Sequence, residues 1–456
     1  MPSRFPKTLW ILLFCSLVIC RTLAQTPQFV SFTAAQPVLE ALHNSLPPEL
    51  KNSLNAATWN KWVRTEDKEI RSRIDEGEEN TLTNLLRMGV TFTKQDPITY
   101  EDLASYGRST AVDKIADKRA DDLTRALAAP HPSEGMLEMR ALLERRGFTL
   151  KTPEGQKKVK AYLLANLARW RDDVARAQAE AKSNPYQAFK DRGISTDSNL
   201  YPDYTLQLHL QHMVEKGLLS PGSVHRIAIL GPGLDFVNKK SGSDFYPPQS
   251  TQPFAVIDSL ARLGLADPAT IEVYTFDISP RVNRHLERAR RDSAAGKGYT
   301  IQLLSSPSDE WSQDYHTGFI EYWQKLGDKI GKPSTRIPVP ANAGNIWNRA
   351  ISVRPAVVLR LTPVDMNVVF QTLPLPPDKQ FDLVIGTNIF VYYGGLEQSL
   401  ARANVATMIR PGGFLLTNEA LPGNAPSKLA DSLKTAVPIA KSPPLTDYMY
   451  SYVRQK

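Results

Sequence analysis

The spacing of apolar residues changes near the middle of the chain. In the first half, apolar side chains recur every three to four residues, which places them on one face of a helix. Three such series are Trp59, Trp62, Ile70 and Ile74; Val112, Ile115, Leu123 and Leu127; and Val159, Leu163, Leu167, Trp170 and Val174. The basic run beside Lys157 fits the solvated face of such a helix better than a nucleic-acid surface, because no aromatic residues alternate with it. We therefore predict an all-helical domain over residues 25–185.

The second half reads as alternating strands and helices. Residues 186–204 are rich in Pro, Gly, Ser and Asp and predict a linker. Beyond it, near-continuous apolar runs between helical patterns are typical of a parallel sheet buried on both faces. The predicted strands are residues 226–230, 271–276, 356–361, 381–386 and 413–418, with 449–454 as a final strand that is open to an antiparallel arrangement. We predict an α/β, doubly wound, mostly parallel sheet over residues 205–456.

The first 24 residues have the pattern of a secretory signal peptide. Arg4 and Lys7 precede an apolar run over residues 8–20, and small residues before Gln25 offer a cleavage site. The run is shorter than the roughly 20 residues that span a bilayer, so an uncleaved anchor is the weaker interpretation. A buried N-terminal helix would need neither the basic start nor the small-residue exit. We predict export to the periplasm or the extracellular space, and a cytoplasmic location if the segment is not used.

Composition narrows the functional classes. The chain has 456 residues, 42% of them hydrophobic and 22% charged, which is ordinary for a globular protein and too long for one core. The net charge of +8 (55 minus 47) falls to +5 (8 minus 3) without Arg4, Lys7 and Arg21, so no nucleic-acid partner is expected. Both cysteines, Cys15 and Cys20, lie in the predicted signal peptide, so the mature chain would have neither a disulfide nor a thiol nucleophile.

Glycine and polar residues follow four of the predicted strands. Gly231 and Gly233 follow the first strand, Asp277 the second, Asp365 the third and Asn388 the fourth. Ligands of a doubly wound sheet bind beyond the carboxyl ends of the strands, where glycines admit the ligand and a carboxylate accepts from a ribose diol or an adenine amine. Each residue alone has a structural explanation as a turn, a helix cap or a loop residue. Their joint order predicts a nucleoside site.

Four segments in this order resemble the successive motifs of class I S-adenosylmethionine-dependent methyltransferases: ILGPGLDF, VYTFDISPRVNRHLERAR, FDLVIGTNIFVYY and IRPGGFLLTNEAL. The nearest likeness is to the chemotaxis-receptor (CheR-like) glutamate methyltransferases, in which a helical domain also precedes the catalytic one. The resemblance implies S-adenosylmethionine as cofactor and methyl transfer to an O or N acceptor. It implies that Gly231 and Gly233 border the methionine part, Asp277 holds the ribose hydroxyls, Asp365 lies near the adenine and Asn388 near the methyl-transfer centre.

Several positions depart from the family pattern. Asp235 replaces the third glycine of the first motif, Ile229 replaces the usual acid inside the first strand, and Gln252 stands where the receptor methyltransferases show an acidic residue. Asp277 follows Gly231 by 46 positions (277 minus 231), whereas nucleotide-binding units usually show the acid about 20 positions on. The first loop is therefore expected to be unusually long.

Two insertions carry further candidate residues. Phe245 and Tyr246 in the first loop either wall the pocket or pack on the neighbouring domain. The second insertion, over residues 299–351, contains His316 in a segment that forms either a substrate lid or a packing helix, the latter being favoured. His316 and Tyr392 are candidate bases for a hydroxyl or amine acceptor.

Metal chemistry is not predicted. His209 and His212 are spaced i, i+3 on one predicted helix, which suits a metal, but no further ligand is evident and a pair of partly buried histidines is favoured. The chain also has neither a GxSxG nucleophile turn nor a GxxxxGK phosphate loop.

Three functional hypotheses follow, because export separates a methyltransferase from its cytoplasmic donor. The first is an active methyltransferase whose acceptor, a small molecule or a protein side chain, is not predicted. The second is an exported, catalytically degenerate protein that binds a nucleoside. The third is a scaffold whose helical domain docks a protein partner.

Overall fold

A computed structural model describes residues 26–180, 193–197, 199–235, 237, 243–305, 315–344, 346–442 and 444–456. The predicted signal peptide lies outside these residues, and so do residues 186–192 and 198 of the predicted linker. The last five residues of that linker, 200–204, are the start of a helix. The helices are α1 (Phe32–Ala41), α2 (Pro48–Asn52), α3 (Ala56–Met88), α4 (Tyr100–Ser105), α5 (Thr110–Ala128), α6 (Glu134–Arg145), α7 (Pro153–Glu180), α8 (Leu200–Glu215), α9 (Gln252–Arg262), α10 (Pro280–Ala294), α11 (Thr317–Lys325), α12 (Pro355–Val358) and α13 (Gly395–Met408). The strands are β1 (Gln28–Phe29), β2 (Arg226–Leu230), β3 (Glu272–Asp277), β4 (Tyr299–Ser305), β5 (Gly331–Ser334), β6 (Trp347–Val353), β7 (Leu361–Asp365), β8 (Gln371–Thr372), β9 (Phe381–Gly386), β10 (Ile409–Thr417), β11 (Leu429–Lys441) and β12 (Pro444–Arg454).

The central sheet is doubly wound. Its order is β11-β12-β10-β9-β2-β3-β7, and the strands from β10 to β7 are parallel. β12 pairs antiparallel with β10, and β11 pairs antiparallel with β12. The chain winds outward from β2 in one direction and then, from β9, in the other, so the strand order reverses between β2 and β9. The predicted mostly parallel α/β sheet is confirmed.

One predicted strand is wrong and several strands were not predicted. Residues 356–361 begin as the helical turn α12, because Pro355 at its first position favours helical geometry. The third parallel strand starts only at Leu361, which pairs with Val273. β11 also escaped prediction, although it forms a long antiparallel hairpin with β12, and the second insertion forms a small antiparallel sheet in the order β4-β6-β5.

The two faces of the central sheet have different covers. Along β2, Ile227 and Ile229 pack with α8, α9 and α10, whereas Ala228 and Leu230 pack with the opposite core, as the alternation of side chains along a strand requires. That opposite core contains α13 together with α1, α2 and the first half of α3. The short strand β1 also pairs with β8.

The N-terminal helices therefore serve two cores. Val30 to Ile74 complete the core of the sheet, whereas Leu82 to Leu167 form a separate cluster of helices. The division at residue 185 stays a prediction, but half of α3 is built into the sheet layer. Among the described residues, none of the helices combines the length and apolar character needed to cross a membrane.

Both insertions reach the helical cluster at the turn that follows α3. Asp244 in the first insertion accepts hydrogen bonds from the backbone N–H groups of Val90 (3.0 Å) and Thr91 (3.1 Å). Asn342 in the second insertion donates from Nδ2 to the carbonyl of Val90 at 2.9 Å. The helical cluster is thus tied to the loops that border the carboxyl edge of the sheet.

Candidate functional site

A cavity lies where the strand order reverses, beyond the carboxyl ends of β2, β3 and β9. It brings four of the five predicted site residues together, namely Gly231, Gly233, Asp277 and Asn388. Its other walls are partly apolar and include Ile74, Leu230, Phe276, Ile278, Met366, Val368 and Ile389. The sequence order of the strand ends therefore identified a real juxtaposition.

Gly231 occupies a position that favours glycine. Its φ is +61°, and a Cβ there would lie 2.1 Å from Cδ1 of Ile389. Its N–H donates to the carbonyl of Phe276 at 2.8 Å, which fixes the turn against the end of β3. Gly233 also has a left-handed backbone, with φ +75°. The two glycines let bare backbone form one wall of the cavity.

We expect Gly231→Ala to lower the free energy of unfolding by roughly 2–4 kcal/mol, since the left-handed backbone costs about 1–2 kcal/mol and the contact with Ile389 adds to it. Urea denaturation followed by circular dichroism measures this. Gly217→Ala is the matched control, because Gly217 has φ +69° and nothing within 4 Å of the added Cβ. Equal losses in the two variants would contradict the crowding at Ile389.

Asp277 ends β3 as a buried carboxylate, only 8% exposed. Its Oδ1 accepts from the N–H of Ser279 at 2.7 Å. Burial raises the pKa of Asp277 to about 7, the hydrogen bond from Ser279 opposes that rise, and the nearby Asp365 adds to it. A carboxylate that loses its proton near neutrality inside a cavity is typical of a functional site.

Asn388 follows β9 with a left-handed backbone, φ +57°, which no other described non-glycine residue shows. Its N–H donates to Oδ1 of Asn418 at 2.7 Å, and Nδ2 of Asn418 donates to Oδ1 of Asn388 at 2.8 Å. The pair holds the ends of β9 and β10 together and keeps Asn388 in an unusual conformation, as is often found at ligand sites.

Asp365 is the predicted residue that the structure does not bring into the cavity. Its half-exposed carboxylate accepts from Nη1 of Arg71 on α3 at 2.6 Å. The neighbouring Met366 and Val368 line the cavity instead. Asp365 therefore does not make the adenine contact that was expected of it inside the cavity. Its carboxylate is instead bound by Arg71 of α3, a helix that lies outside the predicted pattern of strands and loops.

The cavity is roofed by α3 and by residues 193–197. The N–H of Ile194 donates to the carbonyl of Arg73 at 2.9 Å, and a Cβ on Gly77 would lie 2.0 Å from the carbonyl oxygen of Ile194. On the other side, the N–H of Leu234 in the first loop donates to the carbonyl of Thr196 at 2.7 Å. We call residues 193–197 the strap, since they are pinned on both sides.

Two buried polar atoms of the lining have no hydrogen-bond partner among the described residues. Gln252, 4% exposed, donates from Nε2 to Oγ1 of Thr387, which leaves its Oε1 without a donor. The hydroxyl of Ser279, 1% exposed, is also unpaired. Both residues line the cavity, so both can serve a ligand. Sequence comparison singled out Gln252 only as a departure, and it did not find Ser279.

The charge of the lining restricts the ligand. In the described part of the chain, the cavity is lined by two aspartates, Asp197 and Asp277, and by neither lysine nor arginine. Phosphate groups are usually held by basic side chains or by glycine-rich helix starts. The cavity suits an uncharged or cationic nucleoside better than a phosphorylated one.

The remaining candidates have other roles. Tyr392 lines the cavity, whereas Phe245, Tyr246 and His316 do not. His316 precedes α11, and its N–H donates to the carbonyl of Ile439 at 2.9 Å. The segment after it is a helix, in agreement with the packing-helix interpretation.

The two histidines of α8 differ in burial, since His209 is buried and His212 is exposed. Nδ1 of His209 and Nδ1 of His212 lie 2.7 Å and 3.3 Å from Oγ1 of Thr435. Burial lowers the pKa of His209 to about 4, and the neighbouring His212 adds to that shift. No group of three metal-binding side chains occurs in the described ranges.

Glu419 is a chemically suggestive residue that sequence analysis missed. It follows β10 directly after Asn418, and its Oε2 is buried without a hydrogen-bond partner among the described residues. Burial raises the pKa of Glu419 to about 8, and the nearby Asp447 adds to the rise. Asp447 itself accepts from Oγ1 of Thr205 at 2.9 Å. The signal in the sequence that could have identified Glu419 is its position after β10, a fifth strand that is followed by a polar residue.

The likenesses of this chain to known proteins are structural. No family model matches the chain, and no curated protein does. Among solved structures, the chain is similar to N-methyltransferase NodS from Bradyrhizobium japonicum WM9, with 12% identity, a TM-score of 0.25, and coverage of 56% of this chain and 99% of that one. It is also similar to magnesium protoporphyrin IX methyltransferase from Synechocystis PCC 6803 with bound SAM, with 13% identity, a TM-score of 0.24, and coverage of 62% and 97%. A third likeness is to TrmN from Thermus thermophilus, with 12% identity, a TM-score of 0.25, and coverage of 56% and 52%. These identities and TM-scores do not establish a family for the chain.

Proposed function

We propose that the protein is an S-adenosylmethionine-dependent methyltransferase that transfers a methyl group to an O or N acceptor, either a small molecule or a protein side chain. The observation that carries this proposal is the cavity at the strand reversal, which joins glycine backbone, a buried ribose-type carboxylate and two unpaired polar atoms without any basic residue in its described lining. S-adenosylmethionine is a nucleoside with a sulfonium and an ammonium group, so an acidic, phosphate-free lining suits it.

The nucleoside end of the ligand fits the side of the cavity at β3. The carboxylate of Asp277 can accept hydrogen bonds from both ribose hydroxyls. The nearby hydroxyl of Ser279 has no hydrogen-bond partner among the described residues and can bond the ligand as well. Met366, Val368 and Ile278 supply apolar walls for a purine ring. In this assignment Asp365 acts outside the cavity, where it holds Arg71 of the roof.

The amino-acid end fits the side at β9. Oε1 of Gln252 can accept from an ammonium group, because Nε2 is already committed to Thr387 and fixes the orientation of the amide. Gln252 stands at the position where the receptor methyltransferases show an acidic residue. The backbone of Gly231 and Gly233 would lie along the methionine chain.

The chemistry asks the protein mainly for positioning and for exclusion of water. A bound sulfonium supplies an activated methyl group. The roof of α3 and the strap exclude solvent from the cavity, and Asn388 holds the reacting end in place. Transfer to a hydroxyl or amine acceptor would release a proton, and we propose that the carboxylate of Glu419 takes it. Glu419 lies outside the described lining of the cavity, directly after Asn418, which is the hydrogen-bond partner of Asn388.

Export remains a proposal, and it keeps the alternative functions open. An exported, degenerate nucleoside-binding protein would bind the cofactor without turnover, and a scaffold would bind a protein partner through the helical cluster. Mass spectrometry of the mature N-terminus tests export, since Gln25 as first residue is expected and an intact Met1 in the cytoplasm would refute it.

Calorimetric titration tests the proposed cofactor. We expect micromolar binding of S-adenosylmethionine and S-adenosylhomocysteine, weaker binding of adenosine and none of a nicotinamide dinucleotide. Gln252→Ala should weaken S-adenosylmethionine binding about 10-fold or more, because a hydrogen bond to a charged group contributes about 1.5–3 kcal/mol. The same variant should leave adenosine binding unchanged, since adenosine lacks the amino-acid end.

Two results would overturn the assignment. Absence of binding by the wild-type protein would exclude the methyltransferase and the nucleoside-binding alternative together. An equal loss for adenosine and S-adenosylmethionine in Gln252→Ala would show that Gln252 does not face the amino-acid end. Binding without methyl transfer to any extract fraction would favour the degenerate binding protein.

A further inference from the structure

A second groove lies between two helices, away from the cavity at the strand reversal. One wall is a single face of α3, formed by Glu76, Glu79, Asn80 and Thr83. The other wall is a single face of α7, formed by Asn166, Arg169, Trp170 and Asp173. Both sets follow the i, i+3, i+4, i+7 spacing of one helical face, where packed helices normally present apolar side chains to each other. Polar residues instead enclose a groove of about 250 Å³.

One buried donor in this groove has no acceptor among the described residues. Trp170 is 8% exposed, yet its Nε1 is unpaired. The buried side chain of Asn166 is already engaged, because its Oδ1 accepts from Arg169 and its amide bonds the hydroxyl of Tyr162. A buried donor left unpaired costs about 1–3 kcal/mol, so Trp170 points to an oxygen acceptor supplied from outside the chain.

The charges around the groove are largely paired within the protein. Glu79 lies 2.6 Å from Nε of Arg146 and 3.5 Å from Nη2 of Arg169. Asp173 pairs with Arg176. The exposed carboxylate of Glu76 completes the lining as a hydrogen-bond acceptor. The three carboxylates do not form a metal-binding group.

We infer that this groove binds a small neutral polyhydroxylated molecule of monosaccharide size. An anion would be repelled by the carboxylates of Glu76, Glu79 and Asp173, and an ammonium group cannot accept a hydrogen bond from the indole N–H of Trp170. A hydroxyl group can both accept from the N–H of Trp170 and donate to Glu76. The site is independent of the cofactor cavity, although Ile74, two residues before Glu76 on α3, lines that cavity.

The test follows the indole N–H signal of Trp170 in ¹H–¹⁵N spectra of the full chain, identified by its loss in Trp170→Phe. Titration with glucose, galactose, mannose and myo-inositol should shift this signal saturably in the millimolar range for at least one of the four. Trp323→Phe is the matched control, because Nε1 of Trp323 is also buried and unpaired but lies outside the groove. It should leave the shift of the Trp170 signal unchanged.

A second variant tests the hydrogen-bond acceptor on the α3 wall of the groove at a position where the substitution should not disturb folding. Glu76→Gln, at an exposed position, should weaken binding of the responding polyol at least fivefold, with an unchanged far-ultraviolet circular dichroism spectrum. A Trp170 signal that does not move with any of the four polyols up to 50 mM, roughly the weakest binding such a site would show, overturns the inference. So does an equal shift with sodium acetate or methylammonium chloride, since the groove would then not select neutral hydroxyl groups.

Discussion

Asp277→Asn should make the protein more stable and at the same time impair cofactor binding. Burial raises the pKa of this carboxyl from 3.8 to about 7, so the folded state keeps a proton that the unfolded state releases near pH 4. The contribution of Asp277 to stability is therefore greatest below pH 4 and declines as the pH rises towards 7. At pH 8 the wild-type protein holds a buried charge that the amide avoids. We expect a gain in the free energy of unfolding on the order of 2 kcal/mol at pH 8 and none at pH 4.

Cofactor affinity should change in the opposite direction. A carboxylate that accepts hydrogen bonds from two ribose hydroxyls strengthens binding roughly 10- to 100-fold, and the neutral amide of the variant should lose most of this gain. Wild-type affinity should also rise between pH 6 and pH 8, as Asp277 ionises, and the variant should show no such rise. Calorimetry at three pH values and urea denaturation measure the two effects.

Asp365→Asn is the matched control, because Asp365 pairs with Asp277 across the sheet but is half-exposed and bound to Arg71. Its affinity for S-adenosylhomocysteine should stay within about threefold of wild type, in line with the small contribution of exposed ion pairs. If Asp277→Asn binds as tightly as wild type at pH 8, the ribose assignment is wrong. If Asp365→Asn binds S-adenosylhomocysteine more weakly than Asp277→Asn, Asp365 makes the adenine contact that the family resemblance implies.

Glu419→Gln should abolish most methyl transfer while preserving the fold and cofactor binding. General-base catalysis contributes about 10²- to 10⁴-fold to rate, and Gln cannot take a proton. Because burial raises the pKa of Glu419 to about 8, the wild-type rate should increase as the pH rises through 8, and the variant should lose this dependence. Transfer of an isotopically labelled methyl group to a cell extract measures the rate with any acceptor that the extract contains.

Stability separates a proton-transfer role from a structural one. Glu419 loses its proton near pH 4.5 in the unfolded chain and near pH 8 in the folded protein, so the wild type loses stability between these two pH values. The variant should therefore match the wild-type free energy of unfolding at pH 4 and should be the more stable protein at pH 8 and above. Glu287→Gln, exposed on α10, controls for a general effect of charge removal. An unchanged rate in Glu419→Gln would remove this residue from the mechanism.

The sequence predicted which residues meet at the cavity where those residues follow the strand order. Gly231, Asp277 and Asn388 each follow a buried apolar run, and parallel strands bring such residues to one edge regardless of the loops between them. It failed at Asp365, because the partner of this residue is Arg71, 294 positions earlier on a helix. Contacts between distant elements leave no local pattern in a single sequence.

The limits of the fold prediction have the same physical origin. The long hairpin of β11 and β12 was half missed because β11 contains Pro438 and charged residues on its exposed side, which weakens the strand pattern. Residues 28–74 were assigned to a helical domain because their periodicity is helical. Periodicity identifies the face that is buried, but it does not say whether that face covers helices or a sheet.

The pairing of β1 with β8 bears on when this protein can fold during synthesis. Gln28 finds its partner Thr372 only after most of the chain has been made, which at typical translation rates is roughly 20–70 seconds later. Until then α1, α2 and the first half of α3 expose the apolar face that later covers the sheet. The nascent chain therefore carries an N-terminal segment with exposed apolar surface, which favours aggregation, for much of its synthesis. A truncation that removes these helices would leave the apolar face of the sheet that they cover permanently exposed to solvent.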